Sequence, residues 1–261
     1  MEPGIDKQRV RGNGPRWAVL TGLGALLLKL KWVMAALKLG KFTVTLVSMV
    51  VTIGVYALLF GLPFAVGFIA LLLIHELGHA AVLKYRGIDA GAPVFIPLVG
   101  AAIAMRQLPP DAKTEAEVGI GGPIAGAMAA TLCWGIFRLT GSTFWCALAY
   151  IGFVMNLFNL LPVTPLDGGR VAGAISCWLW IPGILLLGVI LWLRFSPILV
   201  LVVVMGTVQL WGEYRRADAE RERYYAVPWD TRVRIAVLYF GLAAYLGYAG
   251  IATHDILVHL S

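Results

Sequence analysis

Two histidines and a glutamate stand together in the segment His75-Glu-Leu-Gly-His79. Residues four apart lie on one face of an α-helix, so both imidazoles could reach a single zinc ion. Glu76, beside them, could contact a water molecule at the open position of that ion. The segment therefore predicts a hydrolytic zinc centre with His75 and His79 as ligands and Glu76 as the catalytic base. The alternative is a buried, hydrogen-bonded His–Glu cluster that only holds helices together.

Asp167 is the candidate for a third ligand. Catalytic zinc sites usually have three protein ligands, and the two histidines leave one missing. Asp167 stands in a polar turn broken by prolines, between two apolar segments, where a carboxylate without a partner would be costly. Zinc coordination would give it that partner. Alternatively, or in addition, Asp167 could cap a helix that begins near Gly168.

The composition indicates a membrane protein. Of 261 residues, 60% are hydrophobic and 13% are charged, whereas about a quarter are charged in ordinary soluble domains. The net charge is +7, but the basic residues cluster in loops and are not interleaved with aromatic residues, so no nucleic-acid partner is predicted. The three cysteines form no C-x-x-C pair, which argues against a thiolate metal site and a disulfide framework.

Seven uncharged or nearly uncharged stretches are about long enough to cross a bilayer. A single span must satisfy its own backbone hydrogen bonds in lipid, which requires a helix. The predicted fold class is therefore an all-α polytopic membrane protein with about seven transmembrane helices. The predicted spans are residues 42–62, 64–83, 118–137, 144–161, 171–193 (kinked at Pro182), 196–212 and 235–251.

The distribution of positive charge predicts the orientation of these spans. With the amino terminus in the cytoplasm, only Arg138 and Arg194 fall in loops on the far side, as the positive-inside rule favours. The protein is expected to lie in a bacterial-type cell membrane. The histidine pair precedes Lys84 by five to nine residues, which corresponds to about 7 to 14 Å of helix below the cytoplasmic surface. Water should therefore reach the site from the cytoplasmic side.

Two apolar segments are poor spanning helices. Residues 92–105 contain two prolines and many β-formers, and could form a re-entrant loop or β-hairpin that protein or a wet cavity covers. Residues 162–170 form a broken elbow between two spans, and interrupted backbone at membrane depth usually lines a site.

Four regions are expected along the chain. Residues 1–41 are a basic amino-terminal segment, in which residues 17–40 could be an interfacial helix or a further crossing. Residues 42–212 would form the core that carries the chemistry. Residues 213–234 read as a charged cytoplasmic loop, and residues 235–261 as a last transmembrane helix and tail. No separate soluble domain is predicted.

The histidine motif and the segment Asn159-Leu-Leu-Pro-Val-Thr-Pro-Leu-Asp-Gly-Gly169 together resemble the site-2 protease family of intramembrane zinc metalloproteases. The resemblance covers about residues 64–170. It implies His75, His79 and Asp167 as zinc ligands and Glu76 as the catalytic base. It also implies that Asn159 and Pro165 shape substrate binding. The PDZ and CBS domains that many members carry are not found in this sequence.

Small and amide residues near the motifs allow two interpretations. Gly122 and Gly126, four apart, match a glycine-rich stretch of a core helix in that family, but close helix packing is the favoured interpretation. Asn156 and Asn159 are amides in an apolar setting and need partners, for which hydrogen bonds between helices are the simplest choice. For Asn159 a functional role and a structural role are both open.

The function predicted from these observations is intramembrane proteolysis: a zinc metalloendopeptidase that cleaves peptide bonds in or near transmembrane segments. Its partners would be a transmembrane protein or peptide substrate and the lipid bilayer. The main alternative is a non-catalytic metal-binding membrane scaffold of the same fold. A transporter is a second alternative, since broken helices and ions near the midplane also suit transport. The sequence gives no prediction of the oligomeric state.

Overall fold

The computed structural model describes residues 41–105, 109–215 and 217–260. Residues 17–40, expected to form an interfacial helix or a further crossing, lie outside the described residues. From Thr45 onward the chain forms one compact unit.

Nine α-helices, one short 3₁₀-helix and one β-hairpin make up the described residues. In chain order they are α1 (Lys41–Phe60), α2 (Leu62–Tyr85), β1 (Ala90–Ile96), β2 (Gly100–Met105), α3 (Ala112–Thr140), α4 (Thr143–Asn159), α5 (Asp167–Ile175), the 3₁₀-helix (Cys177–Leu179), α6 (Trp180–Leu193), α7 (Pro197–Arg215), α8 (Asp218–Tyr224) and α9 (Trp229–Leu260). The prediction of a mostly helical chain is confirmed.

Four of the described helices are long and apolar enough to cross a membrane: α1, α2, α3 and α9. A fifth span results if α7 and α8, which meet at a bend of 113°, are counted as one broken element. Helices α4 and α6 are apolar but shorter. The chain is therefore a multi-pass membrane protein, whereas the count of seven spans remains a prediction.

The helix ends follow from local sequence. Asp111 is the N-cap of α3, where its side chain accepts a hydrogen bond from the amide of Thr114 at 2.7 Å, and this satisfies one of the free amides of the first turn. Gly141 ends the same helix in the left-handed conformation, with φ of 68°, which glycine adopts without steric cost.

Residues 92–105 were expected to form a re-entrant loop or a β-hairpin, and a hairpin is present. Strands β1 and β2 pair antiparallel, with Val94 opposite Ala102 and Phe95 opposite Ala101. Phe95 is buried in a cluster with Ile69 and Leu72 of α2, so the hairpin is fixed against the helix that carries the histidine motif.

The segment from residue 171 to residue 193 differs from its prediction. It is not one span kinked at Pro182 but two helices, α5 and α6, separated at Ser176 and the 3₁₀-helix. Pro182 is the third residue of α6. A proline in the first turn of a helix removes no helical hydrogen bond, because the first amides have no partner in any case. The break instead follows the extended backbone of Ser176, whose side chain caps the 3₁₀-helix.

Candidate metal centre

Helix α2 brings the histidine motif into the interior of the protein. His75, Glu76 and His79 are 2%, 5% and 8% exposed. Gly78, in the same turn, packs on helix α3 so closely that a Cβ atom there would lie 2.3 Å from the carbonyl oxygen of Gly121. The glycine in the motif therefore allows α2 and α3 to approach each other at the site.

The two imidazoles and the carboxylate of Asp167 converge. Nε2 of His75 lies 3.1 Å from Oδ2 of Asp167, and Nε2 of His79 lies 3.2 Å from the same oxygen. The two Nε2 atoms are 3.1 Å apart. Within the described residues these three side chains form the only group of three or more His, Cys, Asp or Glu residues close enough to hold a metal ion.

The other ring nitrogens of both histidines face oxygen atoms. Nδ1 of His79 lies 2.7 Å from the carbonyl oxygen of Val118, and Nδ1 of His75 lies 2.8 Å from Oδ1 of Asn156. A carbonyl oxygen only accepts, so each Nδ1 carries the proton and donates. In a neutral imidazole the lone pair is then at Nε2, and both lone pairs point towards the carboxylate.

This donor set fits a zinc ion. Two nitrogen lone pairs and a carboxylate oxygen about 3 Å apart repel one another unless a cation or a proton lies among them. Zinc binds nitrogen and oxygen at about 2.0–2.1 Å in a tetrahedron, whose ligand atoms are therefore about 3.3 Å apart. The three separations of 3.1 to 3.2 Å are close to that edge length.

Asp167 is the first residue of α5, and the start of this helix brings its carboxylate to the two histidines. The alternative role, capping this helix, is not seen: Leu166 occupies the N-cap position and provides no side-chain cap. Packing accounts for the glycine that follows Asp167, since a Cβ atom at Gly168 would lie 2.0 Å from the carbonyl oxygen of Leu160. The start of α5 therefore packs directly on the backbone at the end of α4.

Two aromatic side chains hold this elbow. The hydroxyl of Tyr239, on α9, donates to the carbonyl oxygen of Leu160 at 2.6 Å. The indole nitrogen of Trp180 donates to the carbonyl oxygen of Gly169 at 2.7 Å. The bond from Tyr239 satisfies a carbonyl group that the end of α4 leaves without a helical partner, and the bond from Trp180 adds a contact to the first turn of α5. Together they fix the backbone that carries Asp167.

The remaining predicted site residues line one cavity of about 430 Å³ together with the three candidate ligands. Glu76 and Asn159 contribute to its wall, as does Pro165, which follows a cis peptide bond. No hydrogen bond joins the Glu76 carboxylate to another described side chain. Its lining also includes mostly apolar residues, among them Tyr56, Phe68 and part of β2.

Sequence reasoning missed two partners of the histidines. Asn156 was expected to hydrogen-bond between helices, which is confirmed, but its partner proves to be His75 itself. The Val118 carbonyl gave no sequence signal, since every residue has one. The interpretation of Gly122 and Gly126 as packing residues is incomplete, because they pack on side chains of the site: Cβ atoms there would lie 2.3 Å from Nε2 of His79 and 2.1 Å from Oδ1 of Asn156.

Parts of this sequence match known proteins. Residues 136–179 match the model of peptidase family M50, and this segment contains Asn159, Pro165 and Asp167. The zinc metalloprotease MJ0392 of Methanocaldococcus jannaschii is 30% identical over 135 residues, which are 49% of this chain and 39% of that protein.

Two further relatives carry names of the same kind. Rip3 of Mycobacterium tuberculosis is 32% identical over 133 residues, 47% of this chain and 32% of its own length. EGY1 of Arabidopsis thaliana chloroplasts is 35% identical over 71 residues, 25% of this chain and 13% of its own. The chain thus spans well under half the length of these curated relatives. The resemblance to the site-2 proteases, the M50 family of zinc metalloproteases, is nevertheless confirmed, by the family match and by these homologues together.

Proposed function

We propose that this protein is an intramembrane zinc metalloprotease that hydrolyses peptide bonds in or near transmembrane segments of membrane proteins. The observation that carries the proposal is the convergence of two histidine Nε2 atoms and one Asp167 oxygen to 3.1–3.2 Å, inside a cavity that Glu76 also lines. In this proposal His75, His79 and Asp167 hold the zinc ion.

The roles of the chain's own residues follow from their chemistry. A bound zinc ion would polarise the scissile carbonyl and lower the pKa of a water molecule towards about 7. Glu76 takes the proton from the attacking water and passes it to the leaving amine. Asn159 donates a hydrogen bond to the substrate backbone or to the oxyanion that forms during attack. Burial of Glu76 strengthens its electrostatic interactions relative to those in water.

The substrate has to unwind before it is cleaved, because a transmembrane helix uses its carbonyl groups in its own hydrogen bonds. The β-hairpin offers a place to hold the unwound chain by strand addition. On β1 the outer edge is already bonded to α1: the Thr45 hydroxyl donates to the carbonyl oxygen of Pro93 at 2.6 Å, and the amide of Phe95 donates to the Ser48 hydroxyl at 3.1 Å. The edge available to a substrate is therefore that of β2.

The register identifies the groups on that edge. Opposite residues of an antiparallel pair either exchange both main-chain hydrogen bonds or exchange neither. Pro93 and Phe95 direct main-chain groups away from β2, so their partners Ile103 and Ala101 direct theirs away from β1. Among the described residues no hydrogen bond occupies these groups of Ala101 and Ile103, both of which line the cavity. A substrate strand would pair with them.

Substitution of Glu76 by glutamine tests the proposed reaction. The full chain, purified in detergent or lipid, would be assayed for metal content and for cleavage of a reporter transmembrane peptide. Glu76→Gln should retain stoichiometric zinc and lose cleavage by at least about 10²-fold, the contribution of a general base. Glu222→Gln, on the exposed face of α8, is the matched control and should cleave normally. Wild-type protein that binds zinc but cleaves no membrane peptide would favour a metal-binding scaffold instead.

Substitution of Ile103 by proline tests the strand-addition step. Proline removes the amide that the substrate would use, yet it breaks no bond between β1 and β2, since the Ile103 amide faces outward. Cleavage of a helical substrate should fall at least tenfold while zinc content is unchanged. Ser48→Ala removes a bond on the opposite edge of the hairpin and should leave cleavage nearly unaltered. Equal cleavage by the Ile103→Pro variant and the wild type would rule out pairing at β2.

A further inference from the structure

Asn156 is the most deeply buried polar side chain next to the candidate metal centre. It lies on α4, is 0% exposed, and contacts His75 of α2 through Oδ1 at 2.8 Å. It is neither one of the three candidate ligands nor part of the segment from Asn159 onward that carries the family resemblance. A fully buried amide at this location calls for a reason, because burial of such a group without hydrogen bonds is costly.

Hydrogen bonds at both the nitrogen and the oxygen of the Asn156 carboxamide fix its orientation. Its Nδ2 donates to the carbonyl oxygen of Gly152, one turn earlier on α4, at 2.7 Å. Because Nδ2 is engaged there, the amide presents Oδ1, an acceptor, to His75. The imidazole must then carry its proton at Nδ1, and its lone pair at Nε2 faces Asp167 and His79.

Helix α3 supplies the room for this amide. A Cβ atom at position 126 would lie 2.1 Å from Oδ1, 2.4 Å from Nδ2 and 2.5 Å from Cγ of Asn156. Only glycine at that position leaves the carboxamide in contact with His75. One turn earlier on the same face, Gly122 leaves room for both imidazoles. A Cβ atom at position 122 would lie 2.3 Å from Nε2 of His79 and 2.8 Å from Nε2 of His75. The two glycines therefore form a cradle for the histidine pair and its amide partner.

We propose that Asn156 is a positioning residue for metal binding: seated against Gly126, its carboxamide orients the His75 ring and holds it in the tautomer whose Nε2 can coordinate a divalent ion. This rests on the proposed function, because it assumes that the His75–His79–Asp167 group is a metal site. Partners that orient a metal-bound histidine in this way typically account for 10–100-fold in metal affinity. Val118 provides the equivalent contact for His79 through its backbone, which no side-chain substitution removes.

The decisive measurement is zinc affinity, obtained for the purified full chain by competition with a chelator. Asn156→Leu keeps a similar volume but has no acceptor, and should bind zinc about 10–100-fold more weakly than the wild type. Asn156→Asp keeps an oxygen acceptor for His75 but loses the donor to Gly152, and should recover part of that affinity. A purely structural role for Asn156 predicts the reverse: both variants unfold at lower temperature when metal-free, and zinc affinity is unchanged.

Glycine variants on α3 provide an independent test. Gly126→Ala should displace the Asn156 amide and weaken zinc binding about tenfold or more, as loss of the amide does. Gly135→Ala is the matched control, because it lies on the same helix and a Cβ there meets no atom within 4 Å. It should bind zinc as the wild type does.

The outcomes separate this inference from the function on which it rests. If the wild-type chain holds stoichiometric zinc and Asn156→Leu binds it equally well, the positioning role is wrong while the metal site stands. If the wild-type chain holds no zinc under any condition, both the metal site and the positioning role are wrong. Weaker binding in Asn156→Leu, with recovery in Asn156→Asp, supports both.

Discussion

Helices α2 and α3 differ from helices α1 and α9 in their surroundings, although length and apolar composition select all four as candidate membrane spans. In α2 and α3, 39% and 44% of the most apolar window is buried inside the protein, against 11% and 17% in α1 and α9. The inner pair also carries the histidine motif and the glycines that face it. Apolar composition therefore shows that a helix lies in the bilayer or in the protein core, but it does not show which of the two surrounds it.

The distinction comes from polar and small residues. In a bilayer, lipid tails are as apolar as leucine, so helices associate through close packing and hydrogen bonds. The outer helices present large apolar side chains to their surroundings, such as Leu58 at 89% and Ile251 at 66% exposure. The inner helices place glycine where backbones or polar side chains approach closely. The same contrast between buried and exposed positions can be tested by substitution in these and neighbouring helices.

The largest effect is expected from removal of a ligand histidine. His75→Ala should lower zinc affinity by more than about 100-fold, which exceeds the loss typical of a residue that only orients a ligand, and should abolish cleavage. His254→Ala, on the exposed side of α9, should change neither quantity. Zinc content and reporter cleavage, measured on both variants, check the prediction. Comparable losses in the two variants would mean that the buried location of His75 has no special role.

A smaller effect is expected from a methyl group at the elbow. Gly168→Ala would bring a Cβ to 2.0 Å from the carbonyl oxygen of Leu160, and the backbone there cannot move away cheaply. The free energy of unfolding should fall by about 1–3 kcal/mol, as for overpacked interiors. Gly188→Ala on α6 meets no atom within 4 Å and should be neutral within about 0.5 kcal/mol. Denaturation of both variants in one detergent makes the comparison, and equal stability would contradict it.

The smallest effect is expected from loss of one hydrogen bond between α9 and the elbow. Tyr239→Phe removes the donor to Leu160 and should destabilise the protein by about 1 kcal/mol. Tyr248→Phe changes a tyrosine of the same helix that is 76% exposed, and should have no effect. The unfolding temperatures of the two variants would show whether only the buried face of α9, which carries Tyr239, stabilises the protein.

Much of this protein follows from its sequence. The spacing of His75 and His79 on an apolar segment determines that they share a helical face, because 3.6 residues complete a turn. The choice of Asp167 depended on the cost of an isolated carboxylate among apolar spans, a local argument that needs no coordinates. The prolines and β-formers of residues 92–105 argued against a spanning helix and left a re-entrant loop or a β-hairpin, of which the structure contains the hairpin.

Other features were decided by tertiary structure alone. The break between α5 and α6 falls at Ser176 and not at Pro182, because proline is harmless in a first helical turn and only the packed elbow determines where that turn begins. The partner of His75 could not be read from sequence, since Asn156 is 81 residues away and any buried amide needs some partner. Likewise, the glycines Gly122 and Gly126 indicate that another part of the protein packs closely on α3. Which residues do so depends on which helix faces α3. Local spacing therefore fixes what one segment can present, whereas contacts between segments depend on how the helices pack.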